Sequence, residues 1–367
     1  MKIFVAVDDP FSPTSNPYIS TLINAINELD KNVLWEYGNQ KFWKENLECF
    51  DIIYIHWPDA ILRESKSSLH SAHELELKIQ GLKSKGVKIV ATCHNMTPHY
   101  CNNKERIDAY NITYQKANLI LHLGEYSQNI LSSQYTDAKH VLLPHHIYDS
   151  IYNKYPTKEE AISKLGLKKS TKYILCFGAF RHEEERCLLK ELHNQLYKKD
   201  IEFLVPSFIK IPKRRNKLYI IGSLFKYHYT TLKYKGFHLC KTHVDDKLLP
   251  YYYAAADIAL IHRVHILNSG NVPLGFLMKK VVVGPNIGNV GPLLQSTGNP
   301  TFIPTKIETI IDAINLGFIL DKENKGKSNY QYAMDHFSTK TIASQLYQLF
   351  VRVKNGELTD TYCKRPK

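Results

Sequence analysis

Short continuous apolar runs alternate along the chain with longer segments of helical spacing. Residues 2–7 (KIFVAV) form one such run and end in Asp8-Asp9. A run of that length with no polar alternation predicts a strand buried on both faces. Ile19, Leu22, Ile23 and Ile26 then recur at intervals of three and four, which predicts a helix over 18–29. Further runs predict strands at 33–36, 51–56, 87–93, 119–123 and 141–143, with helices at 67–85, 105–116 and 126–133. After a polar, Tyr-rich linker at about 149–158 the order restarts. Strands are predicted at 173–177, 202–205, 233–237, 257–261 and 281–283, and helices at 184–198 and 247–255. A final helix is predicted at about 338–354. Strand–helix alternation of this kind predicts an α/β chain with two doubly wound, Rossmann-like parallel sheets.

A length of 367 residues with 44% apolar residues accommodates two such domains, each with its own core. The pattern divides them as 1–155 and 156–337, with 338–367 following the second sheet. No apolar run approaches the ~20 residues of a membrane span, and MKIFVAVDD is too acidic for a secretory leader. The seven cysteines are scattered without a C-x-x-C, which argues against a zinc ribbon or a disulfide framework. A reducing compartment, the cytoplasm, is the expectation.

Charge changes the picture further. The chain carries 48 Lys plus Arg against 35 Asp plus Glu, a formal +13. Residues 1–155 hold 15 basic and 17 acidic residues, so the whole excess lies in the second half. Between Glu202 and Asp245 there is no acid, but nine Lys or Arg interleaved with aromatic residues. An anionic partner for the second half is expected: a nucleotide diphosphate, or an anionic membrane surface. Nucleic acid is not expected, because a two-sheet frame with a neutral half is a poor match to its usual binders. The plain alternative for 208–241 is a solvated insert whose tyrosines pack on the domain.

Ligands of open parallel sheets bind beyond the carboxyl ends of the strands. That rule selects Asp8 and Asp9, His56, His94-Asn95 and Glu125 in the first domain, with Asn16 in the loop after the first strand. Each alone fits a helix cap or a satisfied polar group; together they suggest an acceptor or catalytic site. His94 leads, since imidazole exchanges protons near neutrality. A metal pair of His94 with His99 lacks a third ligand, so no metal is expected. In the second domain, Gly178 and Arg181 follow a strand, and Ser269, Gly270 and Asn271 open an apolar helix. Glycine permits close backbone approach and arginine a bidentate grip on phosphate. There is no G-x-x-x-x-G-K-[ST], no G-x-G-x-x-G after the first strand, no Asp-x-Asp and no G-x-S-x-G. These absences argue against a P-loop enzyme, a nicotinamide enzyme, a metal-clamped glycosyl transferase and a serine hydrolase.

In order and spacing, YIHWPD (54–59), VATCHNMTPH (90–99), ANLILHLGEYSQNIL (117–131), FGAFR (177–181), LLPYYYAAADIALIHR (248–263) and NSGNVPLGFLMKKVVVGP (268–285) resemble segments of the GT-B glycosyltransferases. The likeness is to bacterial cell-surface polysaccharide enzymes of the family 4-like group. It implies two Rossmann-like domains facing a cleft: an acceptor domain, 1–155, and a nucleotide-sugar donor domain, 156–337. The last segment, 338–367, would pack back on the first. It implies sugar transfer from a nucleotide-diphosphate sugar, as co-substrate rather than cofactor, to a glycan or lipid-linked saccharide. Donor contacts would be Gly178, Arg181, Ser269, Gly270 and Asn271; acceptor contacts His56, Asn95 and Asn16. His94 would bind or orient the acceptor, with Asp9 or Glu125 as general base. Two features depart from the family pattern. Glu184 stands where many relatives carry a diphosphate-binding Lys, and Ile266 and Leu274 replace a pair of glutamates. Lys210, Arg214 or Arg215 would then supply the missing charge. The chain is expected to work in the cytoplasm, peripheral to the inner face of the membrane. A sugar-nucleotide epimerase and a non-catalytic binder with a decayed donor site remain the alternatives.

Overall fold

The computed structural model describes all residues except 14, 64–68, 99–102, 198–199, 213–214, 243 and 359–367. Arg214, His99, Cys101 and Cys363 therefore lie outside the described residues. The chain divides into two compact units, one of residues 1–150 and 336–367, the other of 151–335.

The first unit holds six parallel strands: β1 (Lys2–Ala6), β2 (Leu34–Tyr37), β3 (Ile52–Ile55), β4 (Lys88–Cys93), β5 (Leu119–His122) and β6 (Lys139–Leu142). Their order is β2-β1-β3-β4-β5-β6. The second unit holds β7 (Lys172–Leu175), β8 (Ile201–Leu204), β9 (Phe237–His238), β10 (Ile258–Leu260), β11 (Val281–Pro285) and β12 (Thr301–Phe302), ordered β12-β11-β10-β7-β8-β9. All strand pairs in both sheets are parallel. Strands such as IIYI of β3 and LILH of β5 are buried throughout, as helices on both faces require.

Local signals set several helix ends. Ser71 and Thr157 each close a capping box, with Glu74 and Glu160, at the starts of Ala72–Ser84 and Lys158–Leu165. The helix Thr339–Asn355 belongs to the first unit, although it comes last in sequence. Tyr347 Oη donates to Asp30 Oδ2 (2.8 Å), Lys354 pairs with Asp51 (3.1 Å), and Phe350 packs edge-on against Trp35 and Tyr54.

One expectation is corrected. Residues 233–237 are not a strand: 217–233 is a helix, and β9 begins only at Phe237. Apolar residues stand on both faces of that helix, which hides the helical period. Nor do all tyrosines of this stretch pack inward, because Tyr219 and Tyr229 are exposed.

Candidate functional site

Each sheet reverses its winding once, and a crevice opens at that point beyond the strand ends. In the first unit the reversal lies between β1 and β3, and in the second between β7 and β10. Both places gather residues selected from the sequence.

At the first, Tyr18 from the helix Tyr18–Leu29 forms the hub. Its ring meets His94 edge-on (5.1 Å between centroids), stacks on His146 (5.0 Å) and lies against His145 (4.6 Å) and His56 (6.0 Å). His56 Nδ1 and His94 Nε2 stand 2.9 Å apart, so one ring donates and the other accepts. Trp57 stacks on the outer face of this pair, 4.8 Å from His94. Burial pushes His56 down to about 3, His145 to about 4 and His146 to about 3. His94 is held well below the usual imidazole range by burial and by its histidine neighbours. The whole cluster is therefore neutral at physiological pH, and Tyr18 is a neutral phenol. His94 and His145 are half-buried, whereas His56, His146 and Tyr18 are buried. Tyr18 Oη and His56 Nε2 have no hydrogen-bond partner among the described residues.

The other first-unit candidates separate from this cluster to different degrees. Asn16 joins it: its Oδ1 accepts from Tyr18 N (3.0 Å) and from Tyr148 Oη (3.3 Å), whose ring packs on His145 and His146. Asn95 is buried, and its carbonyl accepts from Tyr114 Oη at 2.5 Å. Asp9 is an exposed turn residue whose Oδ1 accepts from Phe11 N (2.9 Å). Asp8 accepts from Asn39 (3.0 Å). Glu125 sits in the first turn of Glu125–Gln134, where a carboxylate complements the helix dipole.

At the second reversal, Gly178 has φ of 100°, a region that other residues enter only with strain. A Cβ there would meet Asn271 Nδ2 at 3.2 Å and Arg263 at 4.0 Å. Asn271 in turn donates to the Phe177 carbonyl (2.7 Å), tying the loop after β7 to the loop after β10. Arg263 is buried, and its Nη1 lies 3.0 Å from both oxygens of Glu185, whose side chain is fully buried. Glu185 also accepts from the backbone amides of Arg181 (2.6 Å) and His182 (3.3 Å). This carboxylate therefore shapes the loop that carries Arg181, whose side chain is exposed. The loops at 264–270 and 286–289 are held together by Asn289 N on Leu267 O (2.8 Å) and Asn289 Nδ2 on Asn268 (2.7 Å). Gly288 is required between them, because a Cβ would lie 2.4 Å from the Ile266 carbonyl. Ser269 and Gly270 lead into the short helix Asn271–Leu277.

Glu184, at the place of the expected lysine, lies 3.4 Å from His265 at the surface. Lys210 and Arg215 are exposed beyond β8, and Arg215 sits over the Tyr219 ring (5.9 Å). Sequence reasoning missed Arg263 and Glu185. Arg263 ends the run IALIHR at a carboxyl strand end, so the rule that selected His56 would have found it. Among the described residues, no group of three or more His, Cys, Asp or Glu could hold a metal ion, and no helix is long and apolar enough to cross a membrane.

No known family model matches the chain, and no curated protein matches it in sequence. Solved structures do match in fold. A sucrose-phosphate synthase from Thermosynechococcus elongatus aligns at 13% identity and a TM-score of 0.73, over 97% of this chain and 99% of that one. HepE of Anabaena, determined in complex with UDP-glucose, aligns at 12% identity and 0.68, over 96% and 99%. A UDP-N-acetylglucosamine 2-epimerase from Listeria monocytogenes, so described provisionally, aligns more weakly, at 10% identity and 0.59, over 100% and 99%. At these identities the likeness is one of fold: the chain has the two-unit, Rossmann-like GT-B fold.

Proposed function

We propose that this chain is a glycosyltransferase that moves a sugar from a nucleotide-diphosphate sugar to a hydroxyl of a glycan or lipid-linked saccharide. It would act in cell-surface polysaccharide synthesis, without a metal. The observation that carries the reading is the second-unit strand-end cluster: Asn271 bonds to the Phe177 carbonyl (2.7 Å), and a Cβ on the bare Gly178 would meet Asn271 and Arg263 within 4.0 Å. Sugar transfer leaves a diphosphate whose charge must be met by fixed donors. Arg181 is the residue assigned to that charge. Arg263, through Glu185, holds the Arg181 loop in place. HepE, with UDP-glucose, and an Arabidopsis starch synthase, with ADP and acarbose, share the fold and support a nucleoside diphosphate as the leaving group.

On the acceptor side, His94 is assigned to bind and orient the hydroxyl. It is neutral, half-buried and hydrogen-bonded to His56, and because both imidazoles are held far below neutrality it would bind the hydroxyl rather than take its proton. The general base is assigned to Asp9 or Glu125, the carboxylates at the strand ends of the first unit. An epimerase would need free carboxylates around the donor sugar. Glu185 is instead engaged by Arg263 and two backbone amides.

Calorimetry with UDP, ADP, GDP, dTDP and CMP, followed by turnover with the matching sugar nucleotide, tests the reading. Arg181→Ala should weaken nucleotide binding roughly 10- to 100-fold, the worth of one charge-assisted donor. His94→Ala should weaken acceptor binding roughly tenfold, the worth of one hydrogen bond, while nucleotide affinity stays unchanged. Unaltered nucleotide affinity in Arg181→Ala would remove the donor-site assignment. An NMR assay of anomeric configuration that shows retention would remove the general-base role.

A further inference from the structure

The helix Lys217–Lys233 is apolar on the side it turns to the protein and also on the side it turns to water. Tyr227 and Tyr234 on the inner side pack against the core that contains Phe203, Phe208 and Phe237, and Thr230 is buried. Tyr227 Oη donates to the Leu239 carbonyl (3.2 Å). On the outer side, Leu218, Ile221, Phe225, Tyr229 and Leu232 follow intervals of three and four, so they form one stripe. Their exposures run from 51% (Tyr229) to 80% (Leu218). Lys226 and Lys233 stand along one margin, Lys217 and His228 along the other, all exposed. A contiguous apolar stripe of this kind on a surface marks an interaction site.

We infer that this stripe docks the second unit onto an anionic lipid surface, with Leu218, Ile221, Phe225 and Leu232 entering the headgroup–acyl boundary and Lys217, Lys226 and Lys233 meeting the lipid charge. The charge pattern selects this occupant. No acidic residue lies anywhere between Glu202 and Asp245. Two copies meeting through this stripe would bring two acid-free basic stretches together, which disfavours a homodimer. Three of the five stripe residues, Leu218, Ile221 and Leu232, are aliphatic, which leaves only Phe225 and Tyr229 as stacking surface for nucleic acid bases. An apolar face rimmed with lysines suits an anionic membrane on both counts. This helix would be the element behind the peripheral membrane location expected from the sequence. Its docking does not depend on the reaction catalysed.

Flotation of the full chain with vesicles of phosphatidylglycerol and phosphatidylcholine in equal parts, against phosphatidylcholine alone, tests it without any turnover. The wild type should float with the anionic vesicles, and high salt should weaken the association. Lys217→Gln/Lys226→Gln/Lys233→Gln should lower partitioning roughly 100-fold, about fivefold per lysine. Leu218→Ser/Phe225→Ser/Leu232→Ser should abolish it, with the thermal transition kept because these side chains are exposed. All three tryptophans (Trp35, Trp43, Trp57) lie in the first unit. A Phe225→Trp variant therefore adds a tryptophan on the stripe itself, and its extra emission should shift to the blue on anionic vesicles only. Wild-type flotation retained by both triple variants would overturn the assignment to this helix while leaving membrane association standing. No flotation of the wild type would overturn both. A concentration-dependent dimer that the serine variant abolishes, without vesicle binding, would assign the stripe to a second copy instead.

Discussion

The two crevices occupy equivalent places in equivalent sheets, yet their chemistry is opposite. In the first unit the reversal between β1 and β3 is filled with rings: Tyr18, Trp57 and four histidines that burial keeps neutral. In the second, the reversal between β7 and β10 is built from a glycine, an amide and a buried Arg263–Glu185 pair. Topology fixes where a ligand can lie, and the residues at the strand ends decide its charge. A neutral, hydrogen-bonding surface suits an uncharged polar ligand. In the second crevice the Arg263 charge is matched by Glu185, so the proposed diphosphate contact falls to the exposed Arg181.

Acidification should break this comparison most visibly. His56, His94, His122, His140, His145 and His146 all have depressed pKa values in the first unit, against His262, pushed to about 3, in the second. A lowered folded-state pKa means that the unfolded chain binds more protons below its own value of about 6.5. Stability from these groups is therefore complete above about pH 6.5. It falls as pH drops toward the folded values of about 3 for His56 and about 4 for His145. Each such histidine adds up to about 1.4 kcal/mol per pH unit within that window. Tryptophan fluorescence reports the first unit alone, and it should show melting at a higher pH than amide hydrogen exchange in the strands of the second. His56→Phe should flatten the slope by one group's share. Coincident acid transitions in both units would contradict the contrast.

The buried pair of the second unit should produce the next largest effect. Arg263→Ala leaves Glu185 buried without its cation, a change that costs about 3–5 kcal/mol. A thermal melt should register it, and nucleotide affinity should fall because the Arg181 loop loses its anchor. Normal stability with lost affinity would instead make Arg263 a direct ligand of the diphosphate. The smallest effect sharpens the role of the glycine. Gly178→Val should destabilise by about 1–2 kcal/mol from its backbone conformation. Its side chain would also displace Asn271, so calorimetry should show weaker nucleotide binding while the first unit's acid transition is unmoved.

Much of this frame is legible in the linear chain because a parallel strand buried on both faces leaves an uninterrupted apolar run. KIFVAV, DIIYIH and VKIVATC stand out for that reason. The helix 217–233 does not, because Ile220, Leu224 and Tyr227 inside and Leu218, Ile221 and Phe225 outside erase the period. Arg263 was open to the strand-end rule, but its partner was not: the pairing with Glu185, far away in sequence, forms only after folding.

The sequence by itself determined the alternation of strand and helix, the two-part division of charge and the ionisable residues at the strand ends. These are local properties, written in apolar runs and residue type. The tertiary structure decided what those residues became. Stacking around Tyr18 and removal from water turned four scattered histidines into one neutral cluster. The winding of the second sheet brought Gly178, Asn271 and Arg263 together. Contacts between distant segments, and the burial they create, set protonation and reach, and no local pattern encodes them.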